Sequence, residues 1–198
     1  MEKRTFKCEL RADSLESGET TIVGKAAVFN QRSEILRTPW GEPFRELIKP
    51  GAFDGVLGDD VRGLFNHDRN YVLGRSTSKT LRLSVNDTEL IYEIDAPQTR
   101  TIQDLVIAPM KRGDVNQSSF AFSVASGGDD WEYDDDGVLI RTITKVGRLV
   151  DVSPVTFPAY SAAESSLSTR SLEQFKEKQE SNPDAQWRSY VANYLETL

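Results

Sequence analysis

The sequence predicts a mainly β protein with flanking helices, an α+β chain ending in a helical tail. Three observations predict it. Short runs that alternate apolar with polar residues recur between Thr5 and Val155. Turn-forming residues separate those runs at short intervals. After Tyr160 the composition shifts to a Ser-, Ala- and Thr-rich stretch, followed by apolar residues at helical spacing. At 198 residues the chain can hold one full core and an appendage. We divide it into a β domain over residues 1–165 and a helical tail over 166–198.

Taken in order, Thr5–Leu10 alternates as a strand, Ser17-Gly18-Glu19 is turn chemistry, and Thr21–Phe29 is a second strand. Gly24 inside that second run implies a bulge or a close backbone approach. Residues 30–45 are polar, with Pro39-Trp40-Gly41 and Pro43, and read as a long loop. Phe44–Ile48 is a short strand ended by Pro50-Gly51, and Ala52–Leu57 one or two helical turns. Val61–His67 is a strand on which Val61, Gly63, Phe65 and His67 share a face. Leu73–Arg75, Thr80–Leu83 and Leu90–Ile94 continue a meander that Pro97 ends. Thr101–Ile107 is a helix with Ile102, Leu105 and Val106 on one side, closed by Gly113. Ser118–Val124 is a strand. Residues 129–137 form an acidic hairpin whose spacing does not match an EF-hand calcium loop. Val138–Thr144 and Gly147–Val155 are strands. In the tail, Ser171 and Gln174 form a capping box for a charged helix to about Glu180. Trp187, Tyr190, Val191, Tyr194, Leu195 and Leu198 then make an aromatic stripe that needs a cover, either the core or a partner.

Bulk properties narrow the function. The net charge of −7 argues against a general binder of nucleic acid or of anionic membranes. No apolar run approaches the roughly 18 residues of a spanning helix. Met1–Phe6 lacks the apolar stretch of a secretory leader. Cys8 is the sole cysteine, so neither an internal disulfide nor a cysteine metal cluster can form. The expectation is a cytoplasmic product, or one that matures inside a particle built there.

The chemistry turns on the single histidine, His67. An imidazole titrates near neutral pH and is the usual base for a hydroxyl or thiol nucleophile. If the chain is a hydrolase of that kind, His67 is the base. In Ser118–Val124 the residues Phe120, Phe122 and Val124 share the packed face with Ser118. Ser119 points the other way, towards a cleft or solvent, and is the candidate nucleophile. Asp151 lies in the apolar run Leu149–Val155, on the face opposite Val150 and Val152. A carboxylate there requires a partner or an edge position facing water. It is the candidate for orienting His67, with Asp68 the weaker choice because strand neighbours point opposite ways. Cys8 is a secondary nucleophile candidate. A zinc site is disfavoured, because one histidine and scattered acids lack ligand spacing.

Several stretches then fall into one ordered set: Gly24–Asn30, Ile48–Phe53, Asn66-His67-Asp68 with Leu73-Gly74-Arg75, Thr80–Leu83, Ser118–Phe122, and Asp151–Tyr160. Over about residues 5–165 this set resembles the HK97-type prohead (capsid maturation) serine proteases of tailed bacteriophages. The resemblance implies a β-barrel like that of the herpesvirus maturation proteases, and cleavage of scaffold or capsid-protein segments inside the immature shell in the host cytoplasm. It implies His67 as base, Ser119 as nucleophile, and Asp151 where the herpesvirus enzymes carry a second histidine. No cofactor or metal is implied. The implied partners are the major capsid protein and its scaffold segment, with no role for nucleic acid or membrane and with self-association open. The tail lies outside the resemblance and suits self-cleavage or targeting into the shell. A non-enzymatic capsid-assembly protein of the same fold is the competing expectation.

Overall fold

Burial alternates along the strands as the sequence requires, and one departure is informative. In β3 (Thr20–Val28) alternate residues face the core until Ala26 and Ala27, which are both buried. A register shift between Lys25 and Ala27 turns both inward. Gly24 meets the other expectation as well: a Cβ there would sit 2.4 Å from the Tyr92 ring, so only glycine lets that ring lie against the strand.

The computed structural model describes residues 1–6, 10–14, 20–38, 40–157 and 166–180. Its strands form three sheets. The first has the order β1 (Glu2–Phe6), β10 (Gln117–Val124), β13 (Val146–Val155), β6 (Arg62–Phe65) and β7 (Asp68–Arg75). The second runs β11 (Asp129–Tyr133), β12 (Leu139–Ile143), β5 (Pro43–Ile48), β4 (Leu36–Arg37). The third runs β2 (Leu10–Ser14), β3, β9 (Glu89–Asp95), β8 (Leu81–Val85). Most pairs are antiparallel, but β12–β5 and β13–β6 are parallel. The architecture is mainly β, as expected, and the described strands do not close into a barrel: each sheet has two open ends among the described residues. The main core lies between the first and third sheets, where Phe53, Phe120 and Phe122 pack ring on ring at 5.6 and 4.8 Å among Ile22, Tyr92 and Ile94.

Several local expectations change. The first two strands do not make a simple pair: β1 joins β10, while β2 pairs with β3. The loop over 30–45 contains β4 and yields to β5 at Pro43. Residues 51–58 form successive turns with bonds to the residue three back, such as Val56 N to Phe53 O, rather than a helix. The helix near 100 extends through α1 (Arg100–Ile102), a π-helical stretch (Gln103–Ile107) and α2 (Ala108–Arg112), ended by left-handed Gly113. The wider π turn leaves Leu105 exposed while Ile102 and Val106 stay buried. The meander is split, with β7 in the first sheet and β8–β9 in the third.

Helix α3 (Ser166–Glu180) starts before the expected capping box, so Ser171 lies within it. Its hydroxyl accepts from Trp131 Nε1 and donates to Asp129, each at 2.9 Å. Leu172 is buried with Phe44, Trp131 and Leu139, which seats α3 on the second sheet. The aromatic stripe from Trp187 and the Cys8 candidate lie outside the described residues.

Gly74 gives a stability prediction. It pairs with Gly63 across β6–β7, and a Cβ on it would sit 2.7 Å from the Thr80 carbonyl oxygen. Backbone cannot yield as a flexible side chain would. Gly74→Ala is expected to cost about 1–3 kcal/mol, read as a lower urea midpoint at unchanged slope.

Candidate active site

The site is built on one face of the first sheet. Ser119 leaves β10 opposite Phe120 and Phe122, and its register partner on β13 is Ser153. Two residues back along β13 stands Asp151, paired with Ala121. Period-two spacing and antiparallel register thus put Ser119, Asp151 and Ser153 on a common face. Pairing with β6 makes β13 interior, so Asp151 is no edge carboxylate facing water. Ser119 has no exposed surface, contrary to the expected cleft or solvent position.

His67 arrives from a turn. Strand β6 ends at Phe65, and Phe65 pairs with Asp68. Between them Asn66 and His67 have φ of 54° and 58°. Two positive φ values in a two-residue loop define a type I′ hairpin, the form that matches strand twist. The expected common face for Val61, Gly63, Phe65 and His67 therefore stops at Phe65. Asn66 pins the turn to the end of β13. Its N–H donates to the Pro154 carbonyl at 3.0 Å, and its side-chain oxygen accepts from Thr156 N at 2.9 Å. A left-handed histidine is uncommon, and here the surrounding bonds over-determine it.

The three side chains meet in line. His67 Nδ1 lies 2.5 Å from Asp151 Oδ1, and His67 Nε2 lies 2.7 Å from Ser119 Oγ. The His67 and Asp151 side chains are nearly buried, at 6% and 5% exposed, which strengthens their interaction. In the tautomer whose Nδ1–H donates a hydrogen bond to the Asp151 carboxylate, Nε2 is left as an acceptor. Such a linked hydroxyl, imidazole and carboxylate can carry out general-base activation of the hydroxyl. The Ser119 hydroxyl has one proton and a second acceptor in reach, the Arg4 carbonyl of β1 at 2.9 Å. Ser118, on the opposite face, instead donates to Tyr92 Oη at 2.9 Å.

Residues 6–178 match the family model of the caudovirus prohead serine proteases. The chain belongs to that family. No curated protein and no solved structure matched it. The family match runs past residue 165 into α3, further than the resemblance seen in the sequence. Among the described residues no helix of this prohead-protease family member is long and apolar enough to cross a membrane.

Of the residues singled out in the sequence, His67, Ser119 and Asp151 come together, whereas Asp68 turns away. Asp68 opens β7, and its carboxylate accepts from Asn70 N at 2.8 Å. Sequence reasoning missed Ser153, whose hydroxyl donates to Asp151 Oδ1 at 2.8 Å. The signal was its spacing of two from Asp151. It also missed a buried charge cluster that seats β1 beside Ser119. Arg4 Nε and Nη2 bond Glu46 at 2.6 and 2.7 Å, and Nη2 also bonds Glu2 at 2.6 Å. Arg141 Nη1 bonds Glu2 at 2.5 Å, and its Nε bonds Asp129 at 2.7 Å. Burial alone would raise the Glu2 pKa, but the charges and hydrogen bonds of Arg141 and Arg4 outweigh it and hold it below the ordinary value. The cluster ties the first sheet to the second and carries the Arg4 carbonyl to Ser119.

Proposed function

We propose that the chain is a serine endopeptidase of capsid maturation, with Ser119 as nucleophile, His67 as general base and Asp151 as the group that orients and stabilises the imidazolium. The observation that carries this reading is the unbroken link from Ser119 Oγ through both His67 nitrogens to Asp151. Ser119 Oγ attacks the peptide carbonyl carbon while its proton passes to Nε2. The C–N bond breaks as Nε2 returns that proton to the leaving amine, forming an ester on Ser119. Water, deprotonated at Nε2, attacks the ester, and Ser119 recovers its proton as the acid product leaves. Turning the Ser119 hydroxyl from Nε2 to the Arg4 carbonyl gives a resting arrangement.

Family membership supports substrates within the prohead: the major capsid protein and its scaffold segment, cut inside the immature shell in the host cytoplasm. Self-cleavage of the tail beyond 165 and a relation to the herpesvirus enzymes, in site chemistry rather than in a closed barrel, belong to the same reading. So does the division into a catalytic domain and a tail.

The test is co-expression with the phage's major capsid protein, read by intact mass. Wild type and Ser118→Ala are expected to trim the capsid protein and Ser119→Ala to leave it whole. Loss only in Ser118→Ala would move the nucleophile. Cleavage surviving both would remove the serine mechanism. An inactive wild type beside an assembled shell would favour an assembly protein.

A further inference from the structure

Building on the proposed triad, we infer that Ser153 is a positioning residue for it, holding the Asp151 carboxylate and the His67 ring in one geometry. Three distances carry this. Ser153 Oγ donates to Asp151 Oδ1 at 2.8 Å, the same oxygen that meets His67 Nδ1 at 2.5 Å, and Ser153 Oγ lies 3.4 Å from that nitrogen. The serine thus closes a triangle with the two groups.

Its chemistry suits the place. A hydroxyl has one proton and two lone pairs. Donating its hydrogen bond to Oδ1 fixes which carboxylate oxygen faces the imidazole. A lone pair on Oγ then faces the Nδ1–H, which favours the tautomer that leaves Nε2 free to accept from Ser119. A methyl group would do neither. The backbone holds Ser153 firmly: it is fully buried, and it is the register partner of Ser119 across β10–β13. The next residue, Pro154, accepts the Asn66 N–H through its carbonyl, so one segment of β13 fixes both the histidine turn and the hydroxyl near Nδ1. A buried hydroxyl needs some partner, and that alone would be a structural role. Its partner here is the carboxylate atom that His67 itself uses.

The test compares wild type with Ser153→Ala, Ser153→Thr and Ser153→Cys. Each is checked for a wild-type thermal melt and assayed for cleavage of a capsid-protein peptide. For Ser153→Ala we expect kcat to fall about 10–100-fold, as for other groups that orient a functional histidine, with KM within about twofold. Thr retains the hydroxyl and is expected to restore kcat. Cys, a weak donor of similar size, is expected to fall between and covers the case in which Thr does not fit. The sole histidine also gives a single imidazole Nδ1–H resonance, read without substrate. In Ser153→Ala that proton is expected to exchange faster with water. Wild-type kcat together with an unchanged resonance in folded Ser153→Ala would overturn the inference. If the wild type does not cleave but the resonance still responds, the endopeptidase reading fails and the positioning role stands.

Discussion

Replacing His67 with alanine is expected to lower turnover by about six orders of magnitude, and adding Ser119→Ala is expected to cost almost nothing more. Under the proposed mechanism the two act as one unit, in keeping with the 2.7 Å contact between them. Without a base within reach, the Ser119 hydroxyl stays protonated and is a poor nucleophile; without the hydroxyl, the imidazole has no proton to take. No second histidine exists to substitute for His67. Asp151→Asn should fall by about four orders, because an amide facing Nδ1 favours the wrong imidazole tautomer. Single-turnover cleavage of a capsid-protein peptide measures all of these. Roughly additive losses for the His67 and Ser119 changes would mean that the two act separately.

Arg141→Ala is expected to destabilise the fold by about 3–5 kcal/mol. Two arginines now face three carboxylates in a buried cluster that includes Glu2, Glu46 and Asp129. Removing Arg141 leaves Arg4 alone against them, with the excess negative charge buried. In a domain of this size the melting temperature should drop on the order of 10 °C. The loss should also depend on pH. The folded-state pKa of Glu2 is depressed, so its contribution is present above its ordinary value near 4.5 and disappears as pH falls through the lower folded value. The gap between wild type and Arg141→Ala should therefore narrow on acidification, which thermal melts across an acid series would reveal. Because the cluster seats β1, cleavage by the surviving folded fraction should fall as well.

What the sequence disclosed follows from local rules. The alternation through Phe120 and Phe122 set Ser119 apart from Ser118, since period two needs no knowledge of the partner strand. Asp151 stood out because a carboxylate in an apolar run needs a reason. The turn carrying His67 was hidden, because Asn66-His67 lacks the glycine that usually marks a type I′ loop and its strand neighbours suggested continuation. Ser153 was hidden because its role depends on the β10–β13 register, which is non-local. Glu2 and Arg4 look like solvated residues at a strand start; only pairing across two sheets buries them. The closed barrel came with the family resemblance, and the strands form three separate sheets.

The most direct test of the central claim is covalent trapping. Folded enzyme shown to cleave capsid protein is treated with a small fluorophosphonate, and the adduct is mapped by peptide mass spectrometry. A single adduct on Ser119, present in wild type and Ser118→Ala and absent from His67→Ala, is the result this account predicts. An adduct on another serine, or full cleavage activity from enzyme that stays unmodified at Ser119, would contradict it.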